Sequence, residues 1–151
     1  MSQEIVPELY VTDLARSLRF YLDGLGFELA YERPEDRFAA IGLAGNFVML
    51  EETAGRDEAS AAGFEAGEWR TADLEFPFGR GVSFQLNVAD VVATHARVVD
   101  AGYDVKVGLH ERTYRTGDNA IRLRQFLVMD PDGYLIRPAQ PIASAAAELG
   151  R

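Results

Sequence analysis

Polar side chains stand at alternate positions in four short stretches of this chain, and any chemistry would sit there. Glu8 and Tyr10 alternate with Leu9 and Val11, Met49 and Glu51 flank Leu50, and Ser83, Gln85 and Asn87 alternate with Phe84, Leu86 and Val88. Arg137 follows three residues after Tyr134. A strand sends alternate residues to opposite faces, so each apolar set packs inward and each polar set shares the other face. Two carboxylates, Glu8 and Glu51, suit an amine, and either could serve as a general base. Ser83, Gln85 and Asn87 offer hydrogen bonds, and Arg137 offers a guanidinium. The aromatic residues Trp69, Phe76, Phe78 and Tyr114 can stack on planar rings or cations. Phe76-Pro77-Phe78 suits equally well a segment pinned to the core. Arg122 and Arg124 could hold ligand carbonyls or pair with surface carboxylates, and pairing is the commoner outcome.

Other chemistries are poorly served. The chain has no cysteine, which excludes disulfides, thiolate metal sites and cysteine nucleophiles. Its two histidines are separated. His95 falls on a helix as a half-buried packing residue, and His110 falls at a strand end or loop. Ser83 has no histidine expected beside it on the sheet, so no Ser-His-Asp arrangement is readable.

The elements that must position these residues occur twice. Leu9, Val11 and Asp13 lead into a helix that ends at Gly26-Phe27, and Leu86, Val88 and Asp90 lead into another that ends at Gly102-Tyr103. Asp13 and Asp90 are 77 residues apart, whereas the two Gly-aromatic stops are 76 apart. Such near register marks an internally duplicated module. In the first unit, residues 5–11 read as a strand, with Pro7 favouring an edge. Asp13 caps a helix whose stripe is Leu14, Leu18, Tyr21/Leu22 and Leu25, and residues 27–31, 38–43 and 47–51 follow as strands. In the second unit, residues 82–88 form a strand, 91 to about 100 a helix, and 103–109, 121–129 and 134–137 strands. Asp130-Pro131-Asp132-Gly133 makes the last tight turn.

The expected fold is therefore α+β: two tandem βαβββ modules forming a curved mixed sheet with a concave ligand groove. The whole of 1–151 is expected to be a single domain. Module one covers about 4–52, a linker or lid about 53–80, module two about 81–140, and a short alanine-rich tail, expected as a frayed helix, 141–151. Residues 108–120 read as a second long loop carrying His110, Glu111, Arg112, Tyr114 and Arg115.

At 151 residues the chain can bury a full core, and 48% hydrophobic with 26% charged residues fits a soluble globular protein. A formal net charge of −9 argues against nucleic acid and anionic membrane surfaces, and would draw in a cationic small molecule. No apolar run of about 18 residues is present to span a bilayer. The N-terminus lacks the pattern of a signal peptide, so a cytoplasmic location is expected.

The paired βαβββ pattern, the Asp13-Leu14-x-x-Ser17-Leu18-x-Phe20-Tyr21…Leu25-Gly26-Phe27 signature and the Asp130-Pro131-Asp132-Gly133-Tyr134 turn resemble the vicinal oxygen chelate superfamily. That superfamily includes glyoxalase I, extradiol dioxygenases, fosfomycin-resistance enzymes and bleomycin-resistance proteins. The resemblance covers residues from about 5 to 140. It implies four metal-ligand positions, one on the first and one on the last strand of each module. Here they fall on Val6, Met49, Ser83 and Arg137, which are not a divalent-cation set. The chain is accordingly most similar to the metal-free bleomycin-resistance branch. That branch implies a homodimeric protein without cofactor or catalytic residue, sequestering a bulky cationic antibiotic. The ligand-binding set is Glu8, Tyr10, Met49, Glu51, Trp69, Phe76, Phe78, Ser83, Gln85, Tyr114, Arg124 and Arg137. The alternative is a metal-dependent lyase, isomerase or dioxygenase using a shifted ligand set such as Glu8, Glu51 and Gln85.

Overall fold

Each helix starts where two acceptors meet its unpaired amides. Asp13 Oδ1 accepts from the Arg16 N–H at 3.0 Å, and Asp90 Oδ1 from the Ala93 N–H at 3.0 Å. A second acceptor comes from far along the chain. Glu52 Oε2 takes the Leu14 N–H and Gln140 Oε1 takes the Val91 N–H, each at 3.0 Å. Donors that a helix cannot satisfy internally are thus met by its cap and by the last strand of its own sheet.

The computed structural model describes residues 3–53 and 71–144. The chain divides into two units between Phe78 and Gly79. The first unit runs β1 (Glu8–Val11), α1 (Leu14–Leu18) with a π-helical extension over Arg19–Gly24, then β2 (Glu28–Arg33), β3 (Phe38–Leu43) and β4 (Asn46–Glu52). The second runs β5 (Ser83–Asn87), α2 (Val91–Asp100), β6 (Val105–Thr116), β7 (Asn119–Met129) and β8 (Leu135–Ser144). The sheets have the orders β1-β4-β3-β2 and β5-β8-β7-β6, four strands each. In both, the first strand lies parallel to the last and the remaining pairs are antiparallel. The fold is α+β with two βαβββ modules, as the duplication implies.

Helix packing accounts for the core of each unit. In the first, Phe20, Tyr21 and Leu25 are buried together with Val11, Ala39, Ile41 and Leu50. Tyr21 meets Phe20 and Phe27 edge-on, with centroids 4.9 and 5.6 Å away. The buried helical positions are Ser17, Phe20, Tyr21 and Gly24 rather than the Leu14/Leu18 stripe. Ser17, Phe20, Tyr21 and Gly24 keep ordinary helical spacing, and Tyr21 and Leu25 of the expected stripe are buried. In the second unit Val91, Thr94 and Val98 form the buried stripe, and His95 packs edge-on against Phe126 at 5.0 Å. His95 is a packing residue.

Two expectations are corrected. Residues 108–120 do not form a loop. They belong to a long hairpin in which β6 has 12 residues and β7 has 11, with Gly117 at φ 70° in the turn between Thr116 and Asn119. The strand expected at 134–137 continues as β8 to Ser144, so the tail expected from 141 is in part strand. The long β7 supplies its partner, pairing Ile121 with Ser144. The remainder of that expected tail helix, 145–151, lies outside the described residues.

The turn between β7 and β8 is held by one buried carboxylate. Asp130 is 3% exposed, and its Oδ1 accepts the Asp132 and Tyr134 N–H groups, each at 2.9 Å. Gly133 closes the turn at φ 96°. Asp130→Ala strands two buried donors and is expected to lower stability by about 2–3 kcal/mol. A shift in the denaturation midpoint checks this, and an unchanged midpoint would deny the turn its structural role.

Candidate functional site

Strand register decides which candidate residues meet. In the first sheet Glu8 lies beside Met49 and Tyr10 beside Glu51. Leu9, Val11 and Leu50 are buried on the other face. Phe38 adjoins Glu51 on β3, and Arg33 adjoins Phe38 on β2. The Arg33 guanidinium lies 3.8 Å from the Phe38 ring centroid and pairs with Asp36 at 3.0 Å. Arg33 and Phe38 were absent from the expected site, because β2 reads as an ordinary outer strand.

The chemical centre of this face is a carboxyl pair. Glu8 and Glu51 are diagonal neighbours across β1 and β4, Glu8 beside Met49 and Glu51 beside Tyr10. Burial pushes the Glu8 carboxyl above its ordinary range, and the Glu51 hydrogen bond and charge push it further. The Arg33 charge opposes this. A cation such as an ammonium set between two such carboxyls would offset their mutual repulsion.

The second sheet carries a different set on the equivalent face. Ser83, Gln85 and Asn87 of β5 lie beside Leu135, Arg137 and Ala139 of β8. Arg137 donates to Gln85 Oε1 at 2.7 Å and Tyr114 Oη at 2.9 Å, with a longer contact to Gln125 Oε1 at 3.4 Å. Gln125 is 2% exposed, and its amide nitrogen donates to Tyr114 Oη at 2.7 Å. The same nitrogen lies 3.0 Å from His110 Nε2, while His110 Nδ1 is 2.9 Å from the Gly108 carbonyl. The carbonyl can only accept, so Nδ1 carries the proton and Nε2 accepts from Gln125.

The structure therefore brings Gln85, Tyr114 and Arg137 into one network and adds Gln125 and His110, which sequence reasoning left out of the site. A signal for them existed. It was the Gly117-Asp118 pair, a two-residue hairpin turn that joins the stretches on either side as strands. Arg124 stands apart on the opposite face of β7. It pairs with Glu111 at 2.8 Å, and Arg122 pairs with the same carboxylate at 2.6 Å. Those arginines hold the Glu111 carboxyl below its usual range, with the Arg124 hydrogen bond as the main cause. Phe76 is exposed and Phe78 buried. Burial suits Phe78 to anchoring its segment. Trp69 lies outside the described residues.

The positions that the fold resemblance assigns to a metal do not fit one. Val6 has no side-chain lone pair, Met49 offers only a thioether, and Arg137 is a cation already donating to three neighbours. Among the described residues, no three His, Asp or Glu side chains converge as a ligand cluster.

The carboxyl pair sets a pH dependence. Glu8 loses its proton near 4.5 when unfolded and at higher pH when folded, so between those values the folded state binds more protons. Stability contributed by this group is therefore present at low pH and falls as pH rises through that window. Glu8→Gln should remove the fall. Melting temperatures of both proteins from about pH 4 to about pH 8 test this, and parallel curves would contradict the raised titration of Glu8.

Comparison with known proteins places this geometry. The family model described as Glyoxalase/Bleomycin resistance protein/Dioxygenase superfamily matches residues 5–137. A superfamily member of that description from Vibrio splendidus 12B01 is 36% identical, covering 89% of this chain and 96% of its own, with a TM-score of 0.39. TioX from Micromonospora sp. ML1 is 25% identical, covering 93% of this chain and 100% of its own, with a TM-score of 0.61. A protein from Agrobacterium tumefaciens str. C58, 22% identical over 94% and 96% with a TM-score of 0.67, is similar in fold. No functionally curated protein matches the sequence. On the span of the family model and the duplicated βαβββ pattern, the chain belongs to the glyoxalase/bleomycin resistance protein/dioxygenase superfamily.

Proposed function

We propose that this protein binds a small organic molecule without a metal, and that it acts by sequestering a bulky cationic antibiotic of the bleomycin type. The observation that carries this reading is the Glu8–Glu51 carboxyl pair, set beside Tyr10 on the first sheet. An ammonium or other cationic nitrogen would offset the repulsion between the two carboxyls. The half-buried Tyr10 ring nearby supplies aromatic contact. The acidic net charge of −9 would favour encounter with such a cation.

The metal-ligand positions support the same reading, since Val6, Met49 and Arg137 supply no hard anionic ligand. Sequestration needs no bond to break. Free drug falls as bound drug rises, so a sub-micromolar Kd, about −8 kcal/mol or tighter, suffices at comparable protein concentration. The resemblance to the bleomycin-resistance branch implies a homodimer, and sedimentation equilibrium measures that directly.

Calorimetric titration with metal-free bleomycin tests the proposal. Saturable heat near one ligand per subunit, unchanged by chelator, is expected. Trp69 is the chain's single tryptophan, so its fluorescence should report the same isotherm, and Trp69→Phe should abolish the optical signal but not the heat. Combined Glu8→Gln and Glu51→Gln should weaken binding by about tenfold or more. No heat and no quench would sink the antibiotic assignment. Bound metal in the purified protein, with an activity lost to chelator, would replace it with a metal-dependent enzyme.

A further inference from the structure

The network on the second sheet has a lopsided hydrogen-bond inventory. Each of its acceptors already takes at least one donor. Gln85 Oε1 and Gln125 Oε1 take Arg137, Asn87 Oδ1 takes Gln85, and His110 Nε2 takes Gln125. Tyr114 Oη accepts twice, from Arg137 and from Gln125. What remains is donors. Arg137 has five N–H groups and uses three on Tyr114, Gln125 and Gln85, leaving two. The Tyr114 hydroxyl, having accepted twice, keeps its own proton for another acceptor. Arg112 touches this set only through the Tyr114 ring, with its guanidinium 5.5 Å from the centroid; the Arg137 guanidinium lies 5.4 Å from the same centroid.

Charge follows the same direction. On the opposite face of the sheet, Arg122 and Arg124 are both paired with Glu111. Neither Arg112 nor Arg137 has a carboxylate partner among the described residues. Two guanidiniums therefore lie near one phenol ring in a chain of net charge −9, and no acid pairs with either among the described residues. Arg137 and Tyr114 are half-buried and Arg112 is exposed, so solvent-borne groups can reach them.

We propose that this face, centred on Arg137, Tyr114 and Arg112, is a receptor for the carboxylate of a small organic molecule. A planar carboxylate supplies two acceptors carrying negative charge to guanidinium donors, the pairing in which charge-assisted bonds are strongest. The Tyr114 O–H provides a third donor. Gln125, held from three sides by His110, Tyr114 and Arg137, keeps the guanidinium and phenol in place before the ligand arrives, so little ordering is left for binding to cost. This inference deepens the small-molecule reading and rests on it. It gives this face a ligand chemistry, anionic, opposite to that of the carboxyl pair on the first sheet.

The test uses the full chain and benzoate as probe, followed by proton–nitrogen NMR, with benzylamine as the oppositely charged control. Benzoate should produce saturable shifts on β5–β8 and at the Arg137 Nε–H, and benzylamine should leave those signals unmoved. Arg137→Gln should weaken benzoate by about tenfold. Because Arg137 also supports Gln125, Arg112→Gln is the second variant. It removes an exposed side chain that holds no hydrogen bond in the network, and should weaken benzoate with circular dichroism unchanged. Benzoate shifts that avoid β5–β8, or that persist at equal affinity in both variants, would overturn the proposal. Bleomycin binding without benzoate binding would defeat this inference alone, whereas failure of both ligands would defeat the small-molecule reading as well.

Discussion

The parallel pairing of the first and last strands within each unit is the constraint on which the rest depends. Parallel neighbours cannot be joined by a tight turn, so the chain must leave the sheet through a helix and return. The ladder sets Glu8 beside Met49 and Gln85 beside Arg137. Each helix start is tied to the last strand by one side chain, Glu52 on Leu14 and Gln140 on Val91. A slip of one residue would turn every candidate ligand group towards the core and break that tie. Register and helix docking thus reinforce one another.

On this repeated backbone the two polar faces have diverged to opposite chemistries. Glu8 and Gln85 hold the same station in their sheets, as do Met49 and Arg137. One face holds two neighbouring carboxyls, and the other holds a guanidinium cradled by neutral amides and a phenol. The helix-facing residues show no such divergence of character. Val11, Ala39 and Leu50 in one unit and Val91, Phe126 and Val128 in the other are all apolar and buried. Core positions must exclude water in both copies, whereas the opposite face answers to whatever it meets.

Most of the fold could be read from the sequence because its signals were local. Asp13 and Asp90 do cap helices, the alternation around Leu9, Leu50 and Leu86 does separate core from polar face, and Asp130 does open the final turn. The readings that failed concern β6 and β8. Pro138 and Pro141 look like the end of a strand, yet β8 runs through both, and the pairing of β7 with β8 shifts register between Arg122 and Leu123 near Pro141. Polar residues from 110 to 116 look like a loop because neither face of that stretch is apolar. The candidate site was legible as a set of faces. The hydrogen bonds centred on Gln125 were not, since they join residues from four strands whose register only the folded sheet provides.

The long hairpin also bears on how this protein behaves at high concentration. With the order β5-β8-β7-β6, β6 is the outer strand of its sheet, and an outer strand of 12 residues is a template on which another molecule's strand could add. Lys106, Glu111, Arg112 and Arg115 punctuate it with charge, and its pairing with β7 shifts register twice before His110. An incoming strand would have to strip water from those charges and match an uneven edge. The charges along this strand thereby discourage self-association along its length.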